Sequence, residues 1–112
     1  MPCVSQARRK AAQKAAPAYL YWFAWATPVL DGRPRSFHCS DLAFSFDNVD
    51  RCLNATGGGE AARRLAGRMA DAWVAFARGG DPNHAGLPPW ASVSDTALPT
   101  MIFDDVCEAP DD

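Results

Sequence analysis

The sequence lacks any pair of cysteines at metal-ligand spacing. Cys3, Cys39, Cys52 and Cys107 stand far apart, so no CxxC zinc or redox motif exists. It also lacks a phosphate loop: no strand-like run leads into Gly57-Gly58-Gly59 and no GK[ST] follows, which leaves a flexible connector. No apolar run approaches the roughly 20 residues of a membrane helix. Basic excess is missing too. Eleven basic and 13 acidic residues give a net charge of −2, against a nucleic-acid partner, which would want a basic face. No secretory leader is legible at the N-terminus, which favours free thiols over disulfides and a cytoplasmic location. Asn54-Ala55-Thr56 fits the glycosylation pattern, which has meaning only in a secreted chain. Acidic residues are absent before Asp31, while Arg8, Arg9, Lys10 and Lys14 precede it. That start reads as a basic surface helix rather than a transit peptide.

What is present suits a folded domain. Of 112 residues, 48% are apolar and 21% charged, enough for one small core and no more. Ser5 to Ala16, rich in Ala, Gln, Arg and Lys, predicts a helix capped by Ser5 and ended by Pro17, with a weak alanine face for packing. Ala18 to Ala26 has no polar alternation and predicts a strand covered on both faces, as in α/β sheets. Val49 to Glu60 reads as loop. Glu60 to Arg78 is the clearest helix, with Leu65, Met69, Ala72, Trp73 and Phe76 on one side and Gly79-Gly80-Asp81-Pro82 as its stop. The proline-bearing stretch Asn83 to Pro99 predicts a surface-hugging loop anchored by Trp90, with His84 solvated and without a role. Thr100 to Asp104 predicts a short strand.

His38 stands out chemically, because it follows the apolar strand on a loop. A strand fixes the loop root while the loop exposes the imidazole, a good setting for a general base. The surrounding words are Tyr19-Leu20-Tyr21-Trp22-Phe23-Ala24-Trp25, then a Pro/Gly loop, then Phe37-His38-x-x-Asp41-Leu42-x-Phe44-x-Phe46-Asp47-Asn48, then Met69 to Asn83 ending in Gly79-Gly80-Asp81-Pro82-Asn83, then Leu87-Pro88-Pro89-Trp90 and Thr100 to Asp104. In order and spacing this resembles the C-terminal part of the type-B carboxylesterases, the α/β-hydrolase family that includes the cholinesterases. The resemblance spans nearly the whole chain.

It implies an α/β fold: residues 1–112 form a single C-terminal segment of an α/β-hydrolase, in the order helix, buried strand, His loop, long amphipathic helix, Pro-rich loop and short edge strand. It implies that His38 is the base of a Ser–Glu/Asp–His triad acting on a small-molecule ester, with no cofactor and no metal. It implies a short helical turn at Asp41 to Phe46, where the alternation of Leu42, Phe44 and Phe46 alone reads as strand, and it makes Asp41 a structural support rather than the triad acid. Cys39 stands where the family has Gly or Ala, and Ser45 interrupts a usually apolar run.

Serine attacks an ester at neutral pH only when an imidazole takes its proton, a carboxylate orients that imidazole and backbone N–H groups hold the oxyanion. The superfamily carries its serine on a G-x-S-x-G elbow. This sequence contains neither that elbow nor an HGGG-type loop. Two alternatives stand beside the esterase reading: an inactive remnant serving as an interaction module, and a small Cys/His site built on His38 and Cys39, disfavoured because adjacent residues rarely converge on one metal. Residues 18–26 are expected to drive self-association if no other strand covers them.

Overall fold

The computed structural model describes residues 2–110. Its framework is a β–α–β unit. Strand β1 (Leu20–Phe23) and strand β2 (Thr100–Phe103) pair in parallel, with Leu20 opposite Thr100 and Phe23 opposite Phe103. A parallel pair needs a long crossover, and the chain between them supplies it. Helix α1 (Pro2–Ala12) precedes β1. The short helix α2 (Leu42–Ser45), the one-turn α3 (Leu53–Thr56) and the 20-residue α4 (Glu60–Gly79) lie between the strands.

Helix α4 forms as its periodicity predicts. Ala62, Leu65, Ala66, Met69 and Ala72 are buried along one stripe, and Gly80 closes the helix in the left-handed conformation at φ 75°, donating its N–H to Phe76 O. The stripe meets Phe44 of α2, Met101 and Phe103 of β2, Trp25 and Trp90 in one core. Phe103 sits at its aromatic centre, edge-on to Tyr21, Trp73 and Trp90 with centroids 5.6–5.9 Å away. Trp90 is buried as an anchor, and Asn83 holds it by accepting from Trp90 N–H and donating to Trp90 O, both at 2.7 Å.

Several expectations need correction. Helix α1 starts at Pro2 and ends at Ala12, because Lys14 turns the chain left-handed (φ 54°) well before Pro17, so Ser5 lies inside the helix and caps nothing. Its weak packing holds: Ala7 is its buried residue. The strand is four residues rather than nine, and it is not covered on both faces. Trp22 is 66% exposed and Tyr21 37%, and β2 is the strand that pairs with β1, on one edge. Val49 to Glu60 is not plain loop, since a 3₁₀ turn at Val49–Arg51 and then α3 occupy it. Thr56 is buried there, its hydroxyl donating to a local backbone carbonyl. Asp41 to Phe46 does turn as a helix, with Ser45 N–H donating to Asp41 O at 2.9 Å, so Phe44 goes into the core while Phe46 points outward. Phe76 also ends half-exposed, at the rim of the stripe.

The result is a slab of 43 × 28 × 19 Å with a radius of gyration of 14.6 Å. A compact domain of this length would have about 13 Å.

Candidate active-site loop

β1 leads directly to the histidine loop. The ladder runs one residue past the strand, with Ala24 N–H donating to Phe103 O at 2.9 Å. Residues 28–34 then bulge out and return, closed by Thr27 N–H to Arg35 O at 3.1 Å. Ser36 ties the returning chain to the strand, its hydroxyl donating to Phe23 O at 3.0 Å. Residues 37–42 follow as consecutive turns, with Ser40 N–H bonded to Phe37 O and Leu42 N–H to Cys39 O.

His38 sits at the crest of these turns. It is exposed, and its imidazole makes no hydrogen bond among the described residues. It lines an open groove of about 730 Å³ whose walls include Tyr21, Phe23, Ser36 and Asp41. An imidazole so placed is free at both nitrogens to take a proton from one group and donate to another.

Asp41 is bonded to the strand. Its Oδ2 accepts a hydrogen bond from the Tyr21 hydroxyl at 2.8 Å, across 20 residues of sequence. Partial burial, and then the bond to the Asp41 carboxylate, push the Tyr21 phenol well above its ordinary range. The phenol is therefore a fixed donor at any physiological pH. Tyr21 and Ser36 are the polar partners that reading the sequence missed. Tyr21 was legible only as a strand-favouring aromatic, and nothing local signals a partner 20 residues away.

Cys39 occupies a left-handed position, φ 65°. That conformation is natural for glycine and costs another residue about 1–2 kcal/mol, which suits the glycine, though not the alanine, that the resemblance leads one to expect here. Cys39→Gly should raise stability, by up to about 1 kcal/mol once the greater freedom of the unfolded chain is subtracted, and a shift of the urea midpoint to higher concentration would register it. Cys3, Cys39, Cys52 and Cys107 form no disulfide among the described residues.

His84 is half-buried and bonded rather than free in solvent. Its Nδ1 accepts from Gly86 N–H at 3.0 Å and its Nε2 lies 3.0 Å from Arg68 O, so the Nε2–H tautomer joins the Pro-rich loop to α4. Proximity in sequence to Gly86 permits the first bond, but the second comes from the helix packing alone. No cluster of three or more His, Cys, Asp or Glu suited to a metal occurs among the described residues, and no helix there is long and apolar enough to cross a membrane.

Residues 1–107 match the carboxylesterase family. Phenmedipham hydrolase of Pseudarthrobacter oxydans is 33% identical over 78 residues, 66% of this chain but 16% of that protein. The solved esterase of Clostridium hathewayi, described as able to hydrolyse aliphatic aromatic polyesters, superposes with a TM-score of 0.83 at 35% identity, covering 94% of this chain and 20% of that one. The Geobacillus stearothermophilus carboxylesterase EST55 gives 0.76 at 32% identity over 95% of this chain and 22% of its own. The fold is thus a portion of an α/β-hydrolase, and the chain spans about a fifth or less of these relatives. On this match over residues 1–107, the chain belongs to the carboxylesterase family.

Proposed function

We propose that residues 1–112 are one C-terminal segment of a carboxylic ester hydrolase and that His38 is its general base. The observation that carries this reading is the family match over residues 1–107, which takes in the His38 loop. The exposed imidazole, without a hydrogen-bond partner among the described residues and beside a groove, supports it. In the complete triad His38 takes the proton of a serine as that serine attacks the ester carbonyl, then returns it to the departing alcohol. The serine elbow, the acid and the oxyanion donors belong to parts of the fold outside these residues, and the substrate is a small-molecule ester.

The test compares the chain alone with a chimera in which it follows the upstream part of the Clostridium hathewayi esterase. Alone, the chain should hydrolyse a p-nitrophenyl ester no faster than background, because it has no serine elbow. The chimera should show saturable turnover that a serine-directed phosphonate abolishes. A folded chimera without turnover would favour the inactive-remnant reading instead. The chain alone should also self-associate through residues 18–26, since Trp22 and the free edge of β1 offer unpaired ladder groups beside apolar surface. Light scattering showing a monodisperse monomer at high concentration would refute that part.

A further inference from the structure

The loop that carries His38 is held at two points, one on each side of the histidine. On the upstream side the Ser36 hydroxyl bonds Phe23 O; on the downstream side the Asp41 carboxylate accepts the Tyr21 hydroxyl. Both holds come from β1, and only residues 37–40 lie between them. We propose that Tyr21 is a positioning residue for His38, its hydroxyl clamping the downstream root of the histidine loop to the sheet.

Three observations carry this. First, Tyr21 is itself immobilised: its ring packs against Trp73 at 5.1 Å and Phe103 at 5.6 Å, so its hydroxyl projects from a fixed base. Packing alone would be served equally by phenylalanine; the hydroxyl's one bond is to Asp41. Second, α2 does not hold the loop by itself. It has four residues, and the Asp41 side chain makes no cap bond to it, leaving that carboxylate to Tyr21. Third, the loop carries a strained left-handed residue, Cys39, directly after His38. A strained turn persists only where its surroundings fix it, and the two holds from β1 provide that. An O–H bond to a carboxylate is among the stronger neutral-to-charged hydrogen bonds, and burial keeps the phenol protonated to make it.

The role rests on reading His38 as the base, so the experiment separates the two. In the 112-residue chain, amide hydrogen exchange is followed at Ser40 and Leu42, which bond within the loop, and at Met69 and Ala72 in α4. Tyr21→Phe keeps the ring and should quicken exchange at Ser40 and Leu42 about tenfold, leaving α4 unchanged. Unchanged loop exchange overturns the clamp. Asp41→Ala opens the same clamp from its other end and should reproduce the effect if Tyr21→Phe disturbs folding more widely. In the chimeric esterase, Tyr21→Phe and Asp41→Ala should each lower kcat about tenfold or more with KM unchanged. The double variant should be no worse than either single one, and Asp41→Asn, which retains an acceptor oxygen, should recover most of the loss. Additive losses, or quicker loop exchange with unaltered kcat, overturn the positioning role. If His38→Ala kept full kcat, the esterase reading would fall and this role with it, although the exchange result would still report the clamp.

Discussion

His38→Ala in the complete enzyme should lower kcat by about 10⁴ or more while folding stays nearly intact. The imidazole is exposed and bonded to nothing among the described residues, so its removal leaves no cavity and no orphaned partner. Its proposed chemical role, by contrast, has no substitute. Without a base the serine attacks with its proton in place, and the acylation burst should vanish along with steady-state turnover. His84→Ala provides the control with the opposite signature. It breaks bonds to Gly86 N–H and Arg68 O, so it should cost stability, about 1 kcal/mol, and leave kcat at working temperature unmoved. A reversal of the two results, with His84 needed for turnover and His38 dispensable, would require a different placement of the whole segment against the esterases.

That contrast shows where sequence was sufficient and where it was not. Local periodicity carried most of α4, because Leu65, Met69 and Ala72 repeat over a long helix and meet one core, while Phe76 ends at its rim. The same logic failed over Asp41 to Phe46. Three alternating apolar residues are too few to separate a strand from a turn of helix, and only the family resemblance chose rightly. Burial of Ala18 to Ala26 was misjudged for a different reason. An all-apolar run reports that a strand suits the middle of a large sheet, and the described residues supply one neighbour on one edge, leaving Trp22 in the open. His38 was legible as a loop histidine after a strand. Its clamp was not, because a hydrogen bond between Tyr21 and Asp41 depends on the fold bringing β1 and α2 together rather than on any local spacing.

Phe103→Ala should be the most damaging single change to the fold, at about 3–5 kcal/mol. Phe103 is fully buried in β2, where three aromatic rings pack edge-on around it. A domain of this size has about 5–15 kcal/mol of stability in total, so the loss takes about a fifth or more of it. The damage should reach the histidine loop as well. Phe103 O holds Ala24 at the end of β1, and its ring seats Tyr21, whose hydroxyl bonds Asp41. Phe46→Ala supplies the comparison from the same sequence block as His38: at 74% exposed, Phe46 should change stability by no more than about 0.5 kcal/mol. Urea unfolding of both variants checks this, and a Phe103→Ala midpoint close to wild type would mean that the aromatic cluster around β2 is not the centre of the core.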